Sequence, residues 1–247
     1  MMLKDEEKIK QLNKKINSSS RIVFFTGAGI STASGIPDFR SKDGLYNQKY
    51  TYPPEEILSK GFFFFNVETF YKFYKEKMLV LDKKPNVAHN YITKLSEKKD
   101  CSVITQNIDG LHTLAKNKNV IELHGSIYRN YCMDCHAFFT AQYIKDSKEI
   151  VPHCDGCNGV IKPDVVLYDE CLDEMNINRA IVKVTEADLL IVIGTSLTVY
   201  PANTFLSYLR KGEMVIINRD ATAYDKYASI IIRDDIKEVF TLLDKML

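Results

Sequence analysis

Short, continuous runs of apolar residues, many of them β-branched, recur along this chain of 247 residues and constrain its fold more than any other feature. A strand that is covered on both faces of a sheet has such a sequence, because both of its faces meet apolar neighbours. Stretches long enough for helices separate the last three runs. This order predicts an α/β fold with a Rossmann-like, doubly wound parallel sheet. The runs are residues 22–25, 103–104, 120–121, 165–167, 189–193, 215–217 and 230–232.

Two stretches without this pattern interrupt the sheet sequence. Residues 47–80 are rich in aromatic side chains, and residues 127–160 contain four spaced cysteines. We predict that both are insertions, the first of them helical, and that together they form a smaller lobe. The predicted sheet domain then consists of the remaining residues, 1–46, 81–126 and 161–247.

The charge and hydropathy of the chain argue against two classes of partner. Its 33 Lys and Arg residues nearly balance its 32 Asp and Glu residues, so no net field attracts nucleic acid or an anionic membrane. The longest aliphatic run, residues 189–193, is far too short to cross a bilayer. The first twenty residues mix Lys with Asp and Glu, which is not typical of a signal peptide. We therefore expect a cytoplasmic protein with neither nucleic acid nor a membrane as its partner.

Four of the six cysteines form two C-x2-C pairs, which eighteen residues separate. In a reducing compartment such pairs indicate metal or redox chemistry rather than disulfides. Four thiolates close a tetrahedral zinc shell and leave no open position, so the predicted zinc ion is structural. A thioredoxin-like redox pair and a nucleic-acid-binding zinc ribbon are the alternatives, and the scarcity of basic residues nearby argues against the second. The predicted zinc ligands are Cys132, Cys135, Cys154 and Cys157.

A glycine-rich turn, Gly27-Ala28-Gly29, directly follows the first predicted strand. Glycines at such a turn let the backbone approach a pyrophosphate. The turn departs from the G-x-G-x-x-G fingerprint of dehydrogenases, because Thr32 takes the place of the third glycine. An acidic residue at the end of a second strand is also missing at the usual distance. The turn therefore indicates either a dinucleotide used in another way or a simple tight turn.

Polar residues also follow three other predicted strands. Asn107 and Asp109 come after the run at 103–104, Thr195 and Ser196 after the run at 189–193, and Asn218 after the run at 215–217. The carboxyl ends of parallel strands meet at one edge, where open α/β sheets bind ligands. Singly, these residues are typical of polar turns. Together they predict a crevice that binds phosphate and ribose hydroxyl groups.

His124 is the candidate general base among the five histidines, because it follows a predicted strand and imidazole titrates near neutral pH. His136 and His153 adjoin cysteines and are candidate substitute metal ligands. His89 lies where a helix is expected to begin, and His112 follows a polar turn. A single histidine is more often a satisfied hydrogen-bonding group than a catalyst, so its residue type alone leaves the role of His124 open.

Together these motifs resemble the sirtuin family in its bacterial form, and the match covers nearly the whole chain in the right order. The resemblance implies NAD-dependent removal of acyl groups from the lysines of proteins or peptides. It also implies a Rossmann-like domain with a zinc-bearing lobe, in which NAD is consumed as a co-substrate and zinc is structural. The matching motifs are residues 27–31, 35–41, 106–112, 124–125 and 194–197, Asn218 and the four paired cysteines.

The resemblance implies a role for each matching residue. His124 is the implied general base, with Asn107 and Asp109 beside it in the catalytic site. The acylated peptide lies between the lobes as an added strand, and its implied contacts are Val165, Val166, Leu197 and Val199. The implied NAD contacts are Gly27, Ala28, Gly29, Thr32, Asp38, Phe39, Arg40, Gln106, Asn107, Ile108, Asp109, His124, Gly194, Thr195, Ser196, Asn218 and Ile236.

In the implied reaction, the oxygen of the acylated lysine attacks C1′ of the nicotinamide ribose and nicotinamide leaves. His124 then accepts a proton from the ribose hydroxyls, and the products are free lysine, nicotinamide and O-acyl-ADP-ribose. A protein ADP-ribosyltransferase, or a deacylase that prefers longer acyl chains, is the alternative within the family. A non-enzymatic, zinc-dependent interaction module is a third hypothesis, and it leaves the polar strand ends unexplained. The sequence indicates no oligomeric state.

Four positions bear on the implied substrate specificity. Relatives that prefer acidic acyl groups resemble the stretch around Tyr71 but carry Arg three residues later, where this chain has Tyr74. An uncharged acyl group, acetyl first, is therefore expected. Asp169 takes the place of the usual glycine near the peptide channel, where it would repel acidic substrate flanks or lie in solvent. Thr198 replaces a residue that is usually apolar.

Overall fold

A computed structural model describes residues 4–41 and 44–247, and these residues form nine β-strands. The strands are, in chain order, β1 (Arg21–Thr26), β2 (Asp100–Thr105), β3 (Val120–Glu122), β4 (Gly125–Cys132), β5 (Phe138–Thr140), β6 (Ile161–Val165), β7 (Leu189–Ile193), β8 (Glu213–Ile217) and β9 (Ile230–Ile232).

The large sheet has six strands in the order β3-β2-β1-β7-β8-β9, and every neighbouring pair is parallel. From the central strand β1 the chain runs outwards to β3, and later from β7 outwards to β9 on the other side. This reversal of direction between β1 and β7 is the topological switch point of a doubly wound sheet. The predicted fold class is therefore confirmed.

Helices cover both faces of the large sheet. The helices in chain order are α1 (Glu6–Ser18), α2 (Pro54–Ile57), α3 (Lys60–Phe65), α4 (Val67–Phe73), α5 (Val87–Ser96), α6 (Leu111–Leu114), α7 (Ala141–Asp146), α8 (Glu174–Glu186) and α9 (Ile236–Asp244). One face packs against α1, α5 and α9, and the other packs against α8 and a 3-10 helix at Ala202–Tyr208.

Alternate residues of the central strand β1 supply these two cores, because successive side chains of a strand point to opposite faces. Phe24 packs among the side chains of α1, α5 and α9. Val23 and Phe25 pack on the other side, with α8 and the 3-10 helix. Both sets are buried, which explains why the strand is continuously apolar rather than alternating.

The small lobe consists of a three-stranded antiparallel sheet, in the order β5-β4-β6, and the helices α2, α3, α4 and α7. Its core is largely aromatic. The rings of Phe63 and Phe70 meet edge to face with their centroids 4.9 Å apart, and Phe70 stacks on Tyr74 at 5.6 Å. A π-helical segment, Tyr74–Met78, continues α4.

One predicted strand lies in a different sheet from the one expected. The apolar run at residues 165–167 was expected in the large sheet, but β6 pairs antiparallel with β4 in the small one. Its exposure alternates, with Lys162 and Asp164 less buried than their neighbours, as expected for a strand that is covered on one face. The division of the chain into the predicted domain ranges stays a prediction.

Within residues 4–41 and 44–247, the structure has no helix that is both long enough and apolar enough to span a membrane.

The burial of Phe24 makes a stability prediction. Its side chain is 0% exposed, so Phe24→Ala should lower the free energy of unfolding by about 3–5 kcal/mol through lost burial and a residual cavity. Phe65→Ala is the matched control, because Phe65 is 84% exposed and its loss should change stability by less than about 0.5 kcal/mol. Urea unfolding measures both, and equal effects of the two substitutions would contradict the described core.

Candidate active site

A cavity of about 1000 Å³ runs along the carboxyl edge of the large sheet and reaches the small lobe. Open α/β sheets bind ligands at this edge, beside the switch point between strands. Every residue predicted to contact NAD lines the cavity. Of the predicted substrate contacts, Val165, Val166 and Val199 also line it, whereas Leu197 does not.

The glycine turn after β1 packs directly against the end of β7. The Gly27 N–H donates to the Ile193 carbonyl over 3.0 Å, and the Gly29 N–H donates to the Gly194 carbonyl over 2.8 Å. A Cβ atom on Gly29 would lie 2.6 Å from the Gly194 Cα atom, so a side chain there would collide with backbone. The glycines are therefore required by this close approach, which brings two strand ends together at the cavity wall.

A hydrogen-bonded network fixes the polar residues that follow β2. The Asn107 side-chain amide donates to the Gly27 carbonyl over 3.1 Å and to the Ser31 hydroxyl over 3.2 Å. The Ser31 hydroxyl in turn donates to the Asp109 carboxylate over 2.6 Å, and the Leu111 N–H donates to the other carboxylate oxygen. Asp109 is consequently buried with both of its oxygens satisfied. Ser31 lies in the motif at residues 27–31, but the sequence assigned it no role; the structure shows that it joins the glycine turn to this network.

The Gln106 carbonyl fixes the His124 imidazole so that Nε2, and not Nδ1, is the hydrogen-bond acceptor. Its Nδ1 lies 2.8 Å from the Gln106 carbonyl oxygen, which can only accept a hydrogen bond. Nδ1 therefore carries the proton in the neutral ring, and Nε2 carries the lone pair. Burial lowers the pKa of His124 below its ordinary value, against the smaller raising effect of the Gln106 bond. His124 thus lines the cavity as a neutral base near pH 7.

The other four histidines lie away from the cavity, as its lining residues show. His89 is fully buried and accepts the Asn86 N–H as part of the capping box that begins α5. His112 bonds Thr26 through Nε2 and Asn117 through Nδ1. His153 pairs with a glutamate, and His136 is exposed. Burial and the neighbouring His112 lower the pKa of His89 to about 2, so it stays neutral.

The segment that carries Asp38, Phe39 and Arg40 forms one side of the cavity. The Asp38 carboxylate accepts the backbone N–H groups of Arg40 over 3.0 Å and of Ser41 over 2.7 Å. Asp38 therefore shapes the segment in addition to lining the cavity. Phe39 and Arg40 both contact Tyr46, which the sequence analysis did not single out.

A partly buried arginine, Arg233, supports the far end of the cavity. Asn218 follows β8, and its amide donates to the Asp220 carbonyl over 2.8 Å. The Arg233 guanidinium donates to the carbonyls of Asn218 and Asp220 over 2.7 and 2.8 Å. Arg233 was missed, although its position directly after β9 places it at the same edge as the other strand-end residues. Ile236, at the start of α9, lines the cavity beside it.

The segment after β6 is joined to the histidine loop. Val165 pairs with Gly125, and the Val166 N–H donates to the His124 carbonyl over 3.0 Å. A Cβ atom on Gly125 would lie 2.0 Å from the Asp164 carbonyl oxygen, so glycine is required there. The predicted substrate-contacting valines therefore lie one hydrogen bond away from the candidate base.

Leu197 differs from its predicted neighbours on the opposite wall. Its side chain is only 4% exposed and packs in the core beneath the large sheet, beside α8. Val199 lines the cavity, as does Thr198, whose hydroxyl lies 2.9 Å from the Ser196 hydroxyl. Any contact between Leu197 and a substrate is therefore limited to its backbone.

The structure corrects the interpretation of Tyr71 and Tyr74 as acyl-pocket residues. Both side chains are 0% exposed and pack in the aromatic core of the small lobe, outside the set that lines the cavity. The Tyr71 hydroxyl donates to the Ile161 carbonyl. The sequence pattern placed these residues near the cavity, but the helical phase of α4 turns them inwards. Met78 and Val80, which follow them, line the cavity instead.

Asp169 stands exposed at the cavity rim, with a backbone φ of 68°. This left-handed conformation favours glycine, which agrees with the glycine expected there from the sequence resemblance. Aspartate is one of the few other residues that adopt it readily. The neighbouring Glu170 accepts the Leu167 N–H over 2.9 Å and pairs with Lys162.

The four paired cysteines converge at one end of the small lobe. All four sulfur atoms lie within 4.8 Å of one another; those of Cys132 and Cys157 are 3.4 Å apart, and those of Cys135 and Cys154 are 3.6 Å apart. A tetrahedral zinc ion with bonds of ~2.3 Å needs sulfur–sulfur distances of about 3.8 Å. The cluster therefore fits a four-thiolate zinc site, without His136 or His153 in the cluster.

Comparison with known proteins identifies relatives over almost the whole chain. The model of the Sir2 family matches residues 27–201. The NAD-dependent protein deacetylase of Clostridium acetobutylicum is 52% identical over 94% of this chain and 96% of its own length. The protein of the same name from Clostridium tetani is 54% identical over 93% of this chain and 94% of its own length.

Solved structures agree with this result. A Sir2 variant with a deacetylated p53 peptide and 3′-O-acetyl ADP ribose superposes with a TM-score of 0.90 at 39% identity, over 96% of this chain and 98% of that one. A Sir2 complex with a p53 peptide and NAD+ gives a TM-score of 0.86 at the same identity and coverage. The chain belongs to the Sir2 family, whose members are the sirtuins.

Proposed function

We propose that this chain is an NAD-dependent protein-lysine deacetylase. It transfers the acetyl group of a lysine to ADP-ribose, and it releases nicotinamide and O-acetyl-ADP-ribose. The names of its relatives, together with solved relatives that hold a peptide and NAD+, support this activity. The proposal for the site rests on the position of His124. Its Nδ1 is bonded to the Gln106 carbonyl, so its Nε2 is free to accept a proton, and it lines the same cavity as the glycine turn.

NAD lies along the carboxyl edge of the large sheet in this proposal. The backbone of the glycine turn and the small residues Gly194, Thr195 and Ser196 approach its phosphates without steric hindrance. Asn218 and Ile236 take the adenosine end. Bound NAD supplies a ribose carbon from which nicotinamide leaves.

The residues after β2 and the segment 38–40 surround the nicotinamide end. Asn107 and Asp109 hold the ribose and carboxamide, with Gln106 and Ile108 beside them. Their fixed hydrogen bonds mean that little reorganisation is needed when the reacting groups are aligned. Thr32, Asp38, Phe39 and Arg40 close the side of the cavity, so that water is excluded from the reacting carbon.

His124 acts as the general base at its Nε2 atom. The Gln106 carbonyl keeps the only proton of the neutral ring on Nδ1, so Nε2 is ready to accept a proton from a ribose hydroxyl. The acetylated peptide adds as a strand between residues 165–166 and residues 197–199, with Leu197 contributing only backbone. In this proposal the two sides of the cleft are the predicted lobes, residues 47–80 with 127–160 and the remaining ranges, except that β6 lies on the side of the small lobe.

The cellular site that we propose is the cytoplasm. All six cysteines are free, and a reducing compartment keeps the four clustered thiols available for zinc. Zinc held by Cys132, Cys135, Cys154 and Cys157 has a structural role, since four thiolates fill its coordination shell.

Loss of the His124 imidazole should abolish turnover but spare cofactor binding. With an acetylated peptide and NAD, His124→Ala should form deacetylated peptide about 10²–10⁴-fold more slowly than the wild type, because the proton transfer to His124 follows the departure of nicotinamide. Calorimetry should detect NAD binding to both proteins. Mass spectrometry of the peptide tests the reaction itself, because loss of an acetyl mass supports deacetylation and gain of an ADP-ribose mass supports the transferase alternative. Undiminished formation of deacetylated peptide by His124→Ala would contradict the role of His124 as the general base.

The pH dependence of the reaction should report the lowered pKa of His124. Because burial lowers this pKa below the ordinary value of 6.5, the ring stays neutral and active as pH falls from 8 towards 6.5. The acid limb of kcat/KM, which reports the free enzyme, should therefore lie below pH 6.5. An acid limb above that value would show that the charged imidazole is stabilised, contrary to its buried position.

Removal of one zinc ligand should unfold the small lobe. Cys157→Ser should lower the bound zinc, measured by atomic absorption, from one ion per chain to almost none, and it should lower the thermal midpoint. The reason is that metal binding contributes to folding, at ~10–16 kcal/mol of apparent binding free energy in small zinc sites. Cys171→Ser is the matched control, because Cys171 is exposed and outside the cluster. Full activity of Cys157→Ser after proven loss of zinc would contradict the structural role.

A further inference from the structure

We propose that the hydroxyl groups of Tyr46 and Tyr168 couple the two substrates of this enzyme. Tyr46 belongs to the segment that carries Phe39 and Arg40, and Tyr168 belongs to the segment that follows Val165 and Val166. The two hydroxyls form a hydrogen bond across the cavity wall. Both tyrosines are positioning residues, and the inference rests on the proposed function because it assigns one segment to NAD and the other to the peptide.

Tyr46 is the residue through which the cofactor-side segment can be held. Its N–H donates to the Phe39 carbonyl over 2.9 Å, and the Leu45 N–H donates to the Asp38 carbonyl over 2.9 Å. The Tyr46 and Phe39 rings lie 5.4 Å apart, and the Arg40 guanidinium lies 5.5 Å from the Tyr46 ring centroid. A displacement of Tyr46 therefore moves both of the side chains that face the nicotinamide and phosphate side of the cavity.

The main chain of Tyr168 is anchored to the small lobe, whereas the main-chain N–H of Tyr46 bonds within its own segment, to Phe39. The Tyr168 N–H donates to the Leu58 carbonyl over 2.9 Å, and the Tyr168 carbonyl accepts the Lys60 N–H over 2.9 Å. These bonds fix the main chain of Tyr168 to the start of α3 in the small lobe. The hydroxyl bond therefore ties the cofactor-side segment to an anchored point that immediately follows the proposed peptide strand.

The hydrogen bond between the Tyr46 and Tyr168 hydroxyls can couple peptide binding to NAD binding, because it remains formed near neutral pH. Burial, followed by the Tyr168 hydroxyl itself, raises the pKa of Tyr46 above its ordinary value. The Tyr46 hydroxyl therefore stays protonated, and either hydroxyl can be the donor. A peptide strand that orders residues 165–168 then also orders Tyr46, Phe39 and Arg40. By thermodynamic linkage, NAD must favour peptide binding by the same factor.

The coupling can be measured without turnover. Carba-NAD, in which carbon replaces the ribose ring oxygen, cannot release nicotinamide, so its dissociation constant can be measured by calorimetry with and without an acetyl-lysine peptide. The ratio of the two constants is the coupling factor. Tyr168→Phe and Tyr46→Phe should each reduce this factor about two- to tenfold, the range of one neutral hydrogen bond. The double variant should show no further loss, because both substitutions remove the same bond.

Tyr131→Phe is the matched control. Tyr131 and Tyr168 are each 38% exposed, but Tyr131 packs against Phe138 on the outer side of the small lobe, and its hydroxyl has no hydrogen bond within the described residues. Tyr131→Phe should keep the wild-type coupling factor. Wild-type coupling in Tyr168→Phe and Tyr46→Phe, or losses that add in the double variant, would overturn the inference.

Hydrogen exchange supplies a second readout that needs no cofactor. The acetylated peptide alone should slow exchange at the amides of Leu45 and Tyr46 in the wild type and in Tyr131→Phe. It should not do so in Tyr168→Phe, and equal protection in that variant would overturn the inference. Failure of the proposed function is a separate outcome, in which the wild type releases no nicotinamide from NAD and acetylated peptide.

Discussion

The backbone contact between the glycine turn and Gly194 is the constraint on which the rest of the site depends. It holds the ends of β1 and β7 together at the point where the sheet changes direction, and no side chain fits between them. The space above these strands is therefore bordered by backbone and by small residues. The Asn107 amide donates to the carbonyl of this turn and to the Ser31 hydroxyl, so the same contact positions the proposed catalytic amide and leaves the space proposed for the phosphates.

The fold class could be predicted from the sequence because a strand that is buried on both faces is a continuous run of apolar residues. The convergence of the strand-end residues was also predictable, since parallel strands end at one edge. The strand β6 was misassigned because its alternating pattern, with Lys162 and Asp164 less buried, was hidden beside the more obvious apolar run that follows it.

Side-chain direction was harder to predict than position along the chain. Tyr71 and Tyr74 lie in the expected segment, but the phase of α4 and its π-helical continuation turn them into the aromatic core. Leu197 has a φ of 56°, which turns its side chain away from the cavity wall formed by its neighbours. The roles of Ser31, Tyr46 and Arg233 were not predicted, because each depends on hydrogen bonds to residues distant in sequence; for Arg233 alone, the position after β9 was a usable signal.

Two paired strands, β4 and β6, connect the cysteine cluster to the candidate base His124. β4 begins directly after His124 and ends at Cys132, and β6 returns from the cysteine module to Val165. Because the Val166 N–H donates to the His124 carbonyl, the strand pair connects the metal site, the proposed peptide strand and the candidate base, with a shift of register between Gly125 and Asn130. The cysteine cluster therefore fixes the register of β6 against β4 at the Cys132 end, and the Gly125–Val165 pair sets it separately beside His124. The NAD edge of the large sheet, which is built from β1, β2 and β7, does not depend on that register.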